Sequence, residues 1–430
     1  MSKKNELALF GGEKAVTVKP QEKWEKINQD VKDAVNKLMD VQIASIGNGS
    51  GVIGEFEDAF SKMTGSKYAL AMNSGTSTLH SAYFAVDVGP GDEVIVPTYT
   101  WHATITPILH CGATPVFCDI DPETLTISPE DIERKITPRT KAISIVHVWG
   151  NVCHMDKILA IVKKHGIALI EDCSHAHGAK YKGRPVGSMG AVGCFSMQGG
   201  KAVSGGEAGV AVTDDPDIFD KMVLLGHFGR KKVGSNKEIH NIGDMSLGAK
   251  YRPQAWAIAM ANVELKRLPE LDAMRTKNYA ILNDELRGCP GLELVDALPG
   301  CERSGYLEFK FKLTRDILKT VDKEKIVEAM QAEDIPIDAD RYSSFNYTYG
   351  LLHTAPLFTT FDLRSIGGCF YDPTRNDISK TPVTLPVAED VASRLLGMYA
   401  YADTDENAIR QMANGIRKVM ESVEHLDFTS

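Results

Sequence analysis

Lys201 ends the stretch Phe195-Ser196-Met197-Gln198-Gly199-Gly200-Lys201, a glycine-rich turn behind an apolar, strand-forming run. A primary amine held at the end of a buried strand can condense with a carbonyl to give a Schiff base. Glycines beside a lysine also suggest a phosphate loop. That motif needs a hydroxyl residue directly after the lysine, and Ala202 stands there. Asp172 closes a second apolar run, Ile167-Ala-Leu-Ile-Glu171-Asp172. A carboxylate in such a place requires a cationic or hydrogen-bonding partner. Trp101, behind Pro97-Thr-Tyr-Thr, offers a flat aromatic face. Together these residues suit a planar cationic heterocycle, stacked on Trp101 and kept protonated at its ring nitrogen by Asp172. The same stretch admits a second reading, with Asp172, His175 and His177 as metal ligands, because His-x-His is a ligand spacing. Ser74-Gly75-Thr76-Ser77 supplies a turn and hydroxyl caps, so the free N–H groups of a following helix form an anion site. Helix caps of this kind are also common without any ligand.

The elements that position these residues follow from the hydrophobic pattern. Seven short apolar runs, Tyr68–Met72, Glu93–Val96, Thr114–Ile120, Ala142–Val148, Ile167–Glu171, Val192–Met197 and Val210–Thr213, are mostly unbroken rather than alternating. That is the pattern of strands covered on both faces. Amphipathic stretches lie between them; Leu79, Ala82, Tyr83 and Val86 form one apolar stripe at helical spacing. The alternation predicts a mainly parallel, doubly wound α/β sheet, whose ligands sit at the carboxyl ends of its strands. The candidate residues all follow strands. A long helix is expected over about Gln254–Leu286, then a smaller α/β domain with a half-buried strand over Tyr306–Leu313. Helices are also expected over Lys323–Glu333 and Glu406–Val423. The irregular segment Tyr342–Lys380 is the candidate substrate cover. The expected division is 1–270 for an N-terminal segment and large domain, and 271–430 for the small domain.

The 430 residues carry 48 Lys+Arg against 57 Asp+Glu, a formal charge of −9, which argues against nucleic acid or an anionic membrane as partner. No apolar run approaches the roughly 20 residues of a membrane span, and the start lacks the apolar core of a secretory leader. Eight cysteines without a CxxC pair fit reduced thiols in a cytoplasmic enzyme.

In order along the chain stand Ser74-Gly-Thr, Gly91-Asp-Glu-Val-Ile-Val-Pro, Pro115-Val-Phe-Cys-Asp-Ile-Asp, Thr140-Lys-Ala-Ile, Glu171-Asp-Cys-Ser-His-Ala-His-Gly-Ala and Phe195-Ser through Lys201. This series resembles the DegT/DnrJ/EryC1/StrS family of pyridoxal-phosphate aminotransferases acting on keto-sugars and keto-cyclitols. The resemblance runs from about Gly54 to residue 270 and more loosely beyond. It implies the fold-type I architecture and a homodimer with shared active sites. It assigns Lys201 as Schiff-base lysine, Asp172 as partner of the pyridine nitrogen, His175 as contact to the phenolic oxygen and Trp101 as stacking aromatic. Gly75, Thr76, Ser77 and Ser196 fall on the phosphate cradle. Gln198 matches the form Phe-Ser-x-Gln-x-Gly-Lys of aminohydroxybenzoate synthases and inosose aminotransferases. The implied reaction moves an amino group from L-glutamate or L-glutamine to a ketone of a keto-sugar, nucleotide-linked ones included, or of a keto-cyclitol such as an inosose. The alternatives are a cofactor-dependent sugar dehydratase, against which Lys201 counts, and a non-catalytic regulatory relative.

Three positions depart from the family pattern. Lys250 replaces the Asn that reaches a neighbouring subunit's phosphate, Ala255 replaces an acidic residue, and Ala208 replaces a glycine. The basic stretch His227-Phe-Gly-Arg230-Lys231-Lys232 is expected near the active-site mouth, as a contact for an anionic substrate.

Overall fold

The computed structural model describes residues 6–343, 350–359 and 383–426. The large domain is built on β1 (Tyr68–Met72), β2 (Glu93–Pro97), β3 (Thr114–Cys118), β4 (Thr140–Val146), β5 (Ala168–Asp172), β6 (Val192–Ser196) and β7 (Gly209–Thr213). Their order across the sheet is β1-β7-β6-β5-β4-β2-β3. Every pairing is parallel except the two made by β7, which runs antiparallel to both β1 and β6. The seven expected strands are thus the seven observed, with small changes at the ends. The fourth stops at Val146, because Trp149 takes a left-handed conformation (φ 54°) and turns the chain.

The unbroken apolar runs have a structural cause. On β1, Leu70 and Met72 pack into one layer with Leu79, Ala82 and Tyr83, while Ala69 and Ala71 face the other layer with Phe56, Phe60 and Ile258. Both faces are therefore dry, and Ser144, a polar residue inside β4, is buried with its Oγ accepting from the Tyr83 hydroxyl at 2.9 Å.

The helix Ala255–Leu286 carries the chain out of this layer, and the expected 270/271 division falls inside it. A second sheet follows, made of β8 (Leu292–Leu294), β9 (Glu308–Leu313), β10 (Ile337–Ala339) and β11 (Leu395–Tyr399), antiparallel in the order β8-β9-β11-β10. Helices Lys323–Ala332 and Glu406–Met420 contribute to its core. So do Leu7 and Val16, and Glu333 accepts hydrogen bonds from the N–H groups of Ala8 and Ala15. The alternation over Tyr306–Leu313 does not mark a half-exposed strand: all six residues of β9 are buried. Its polar members lie in ion pairs, Lys310 between Glu308 and Asp340, and Lys312 beside Glu293.

Candidate active site

A cavity of about 390 Å³ opens at the carboxyl ends of β1, β2, β5 and β6. It is lined by Gly75 and Thr76 after β1, Trp101 after β2, Asp172 and His175 on and after β5, and Ser196, Gln198 and Lys201 on and after β6. The small domain closes it with Arg341 and Tyr342.

The helix Gly75–Ala85 begins with a capping box, in which Ser74 Oγ accepts from Ser77 N–H at 3.0 Å and Ser77 Oγ accepts from Ser74 N–H at 3.1 Å. Ser77 is thereby engaged and buried, and it does not line the cavity. The N–H groups of Gly75 and Thr76 find no acceptor among the described residues, so the open donors of the helix start are theirs. Gly75 has to be glycine: a Cβ there would lie 2.5 Å from Ser196 Cβ. Ser196 therefore sits directly beside the helix start, where an anion meets both the N–H groups and a hydroxyl.

Asp172 is 4 % exposed. Its carboxylate accepts from Thr104 Oγ1 at 2.8 Å and from Ser174 N–H at 3.1 Å, which fixes its orientation. Lys201 is held by a tight turn, its N–H donating to the Gln198 carbonyl. Gln198 Oε1 accepts from Gly200 N–H at 2.7 Å and braces the same turn. Burial pushes the Lys201 amine down to about 8; the Asp172 carboxylate opposes that shift, while Arg341 and Lys26 add to it. A substantial fraction is therefore free amine near neutral pH, as a nucleophile or proton acceptor requires.

His175 is buried with its Nε2 3.1 Å from the Tyr342 hydroxyl. Its Nδ1 accepts from Trp149 N–H at 3.4 Å, which places the ring proton on Nε2. Burial first, and then the positive charges of Lys201 and Arg341, hold its pKa well below the usual histidine value, so the ring is neutral. Its neighbour His177 points elsewhere, its ring 6.5 Å from that of Phe60 and 5.5 Å from that of Phe195. Asp172, His175 and His177 do not converge on one point. Among the described residues the grouping with metal-ligand spacing is His147, Glu171 and Cys173. Glu171 there already accepts from the N–H groups of Gly187, Met189 and Gly190 and pairs with His147 Nε2. It stitches β5 to the turn before β6.

Trp101 is 45 % exposed at the cavity wall, its ring 6.0 Å from that of Tyr342. Lys250 lies outside the cavity of its own chain; it is exposed, with φ 54°, and its carbonyl accepts from Asn73 Nδ2. Ala208 is fully buried and has no positive φ, so the missing glycine costs no backbone strain. The basic stretch, expected near the active-site mouth, does not line the cavity of its own chain. Arg230 pairs with Glu57 at 2.6 Å, and Lys232 Nζ donates to the Ile239 and Gly243 carbonyls. Of the expected cover, Tyr342, Ser343 and residues 350–359 are described and the rest lies outside the described residues. Thr104, Ser174, Glu207 and Arg341 were not legible as site residues. A lone hydroxyl or an arginine in an irregular stretch carries no periodic signal, and Glu207 stands in a glycine-rich turn without a second acid beside it.

A mainly parallel seven-stranded sheet, a lysine and an aspartate at its carboxyl edge and a capped helix start beside them define the fold-type I class of transferases. Residues 25–363 match the DegT/DnrJ/EryC1/StrS aminotransferase family, and the chain belongs to that family. It is similar to L-glutamine:2-deoxy-scyllo-inosose aminotransferase of Streptomyces lividus, 32% identical over 424 residues covering 96% of this chain and 97% of that one. Putative L-glutamine:3-amino-2,3-dideoxy-scyllo-inosose aminotransferase of Micromonospora echinospora is 28% identical over 420 residues, 97% of both chains. Among solved structures, an aminotransferase from Psychrobacter cryohalolentis superposes with a TM-score of 0.77 at 27% identity, over 94% of this chain and 99% of that one. The chain is an aminotransferase, and no described helix is long and apolar enough to cross a membrane.

Proposed function

We propose that this enzyme uses pyridoxal 5'-phosphate to move an amino group from L-glutamine or L-glutamate to a ketone of a keto-cyclitol or keto-sugar. The observation that carries this reading is the placement of Lys201, Asp172 and the Gly75–Ser196 cradle around one cavity. These residues fit the cofactor. The uncapped N–H groups of Gly75 and Thr76 and the Ser196 hydroxyl suit its phosphate, Asp172 its ring nitrogen, Trp101 its ring face and neutral His175 its phenolic oxygen. Bound there, the cofactor supplies an electron sink for a carbanion at the donor's Cα.

The chain's own residues do the rest. Lys201 Nζ takes a proton at one position and returns it at another, which its lowered basicity allows. Asp172, locked by Thr104 and Ser174, presents a fixed negative charge without needing to reorganise. Tyr342 and Arg341 bound the cavity from the small domain, on the side facing Trp101. The ketone class rests on the inosose aminotransferases that the chain resembles over nearly its full length. Lys250 suits a homodimer with shared sites: it lies outside its own cavity, where its ammonium can serve a second copy's phosphate as a point charge.

The test is turnover. Supplied with pyridoxal 5'-phosphate, the protein should be yellow, bleach on addition of glutamine or glutamate, and aminate scyllo-inosose, 2-deoxy-scyllo-inosose or a nucleotide-linked keto-sugar, read by mass spectrometry. Lys201→Ala should lose product formation by at least 10³-fold. Full activity in that variant, or no aminated product from any of these ketones, overturns the reading.

A further inference from the structure

Residues 22–28 form a strap without helix or strand, turning at Lys26 and Ile27, before the helix Gln29–Asp40. The Glu22 carboxylate accepts from the N–H groups of Ala402 at 2.8 Å and Asp403 at 3.0 Å, and Lys23 N–H donates to the Asp403 carbonyl. These bonds tie the start of the strap to the segment that follows the last strand of the small domain. Its middle is fixed to the long helix: the Arg267 guanidinium lies 3.9 Å over the Trp24 ring, and Arg267 Nη1 donates to the Glu25 carbonyl. Lys26 then reaches inward, and its Nζ donates to the Gly199 carbonyl at 2.6 Å.

Gly199 lies inside the turn that carries Lys201. That turn has few other restraints: the Lys201 N–H bond to Gln198 and the Gly200 N–H bond to Gln198 Oε1 are both internal to it. The Lys26 bond is different in kind, because it anchors the turn to a segment 173 residues away in the chain. We propose that Lys26 is a positioning residue for the reaction, clamping the Gly199 carbonyl so that the catalytic turn and the small domain are held through one strap. This rests on the reading of Lys201 as the reactive amine.

A second consequence is electrostatic. An ammonium group at Gly199 disfavours a further positive charge on Lys201 nearby, and Lys26 is among the charges that lower Lys201. Lys26 itself is lowered by burial and by Arg275, against Glu264 and Glu22.

The experiment uses the full chain freed of cofactor. Competitive acetylation across pH, read peptide by peptide, gives the titration midpoint of Lys201, and amide hydrogen exchange reports on residues 198–202. Wild type should show a midpoint near 8. Lys26→Met should raise it by about half a unit and speed exchange in the turn about tenfold, while Lys26→Arg keeps both near wild type. Glu22→Gln, which loosens the strap without touching the turn, should speed exchange with a smaller shift, and it serves alone if Lys26→Met does not fold. In the holoenzyme, Lys26→Met should lower kcat several-fold with the ketone KM unchanged. An unchanged midpoint and unchanged exchange in a folded Lys26→Met or Glu22→Gln protein overturn the proposal. Because acetylation and exchange need neither cofactor nor ketone, a failure of the aminotransferase reading would leave them unaffected.

Discussion

The pair Lys201 and Asp172 states the central electrostatic problem of this site. The amine must be free often enough to attack or accept a proton, yet a carboxylate in the same cavity favours its protonated form. Burial wins, and the result is a value of about 8. A step that needs the free amine should therefore rise with pH and level off above about 8. Replacing Asp172 with Asn removes the charge that opposes the effect of burial on Lys201, so the rising limb should move to lower pH even as the rate falls. Rate profiles of the wild type and Asp172→Asn between pH 6 and pH 10 would check this, and a limb that stays or moves upward would contradict the assigned balance. His175 belongs to the same balance. It is neutral, and its proton is placed by a backbone N–H rather than by a carboxylate, so it can donate without adding charge.

At the scale of elements, strand ends and helix starts carry the chemistry, and steric fit decides which residues they tolerate. The start of the helix Gly75–Ala85 approaches β6 so closely that only glycine fits opposite Ser196. Gly75→Ala must push that helix start away from Ser196 and open the phosphate cradle. Loss of one or two charge-assisted hydrogen bonds predicts cofactor affinity weaker by about ten- to a hundredfold, with circular dichroism near wild type. Cofactor titration followed by absorbance measures it. These elements were largely legible in the sequence, because strands dry on both faces leave unbroken apolar runs and the polar residues after them stand out. Lys201, Asp172 and Trp101 stood out that way, and the structure places all three on the cavity wall. The backbone of Ser77 was expected beside that of Gly75 and Thr76 in the cradle; its N–H is taken up by Ser74 Oγ, which leaves the open donors to the other two. The buried charges of β9 misled the pattern reading altogether, since alternation cannot distinguish a solvated lysine from one enclosed by two carboxylates.

Across the whole molecule, the two domains meet at the cavity through that enclosed lysine. Lys310 is 1 % exposed, paired with Glu308 and with Asp340, whose carboxylate also accepts from the hydroxyl of Tyr99 on the large domain. The Lys310 ammonium lies 4.3 Å over the ring of Trp149, whose Nε1 donates to the same Tyr99 hydroxyl and whose backbone N–H holds His175. Asp340 meanwhile accepts from Tyr342 N–H, fixing the residue that bonds His175 from the other side. A domain junction and a wall of the cavity are thus one network. Gly397 is part of it, because a Cβ there would lie 2.4 Å from Lys310 Nζ. Removing the cation leaves the buried Asp340 carboxylate without its counter-ion, while Glu308 keeps the Arg341 guanidinium at 2.9 Å, and breaking a buried pair in this way costs about 3–5 kcal/mol. Lys310→Met should lower stability in urea unfolding by that order and weaken cofactor binding at the same time, since Trp149 and Tyr342 lose their common anchor. Adding Asp340→Asn removes the uncompensated charge and should recover much of the stability. The double variant should still bind cofactor less well than wild type, because Asp340→Asn puts an amide where the Tyr99 hydroxyl and Tyr342 N–H meet a carboxylate. If Lys310→Met keeps wild-type stability and affinity, the two domains are held together elsewhere and this network does not couple them.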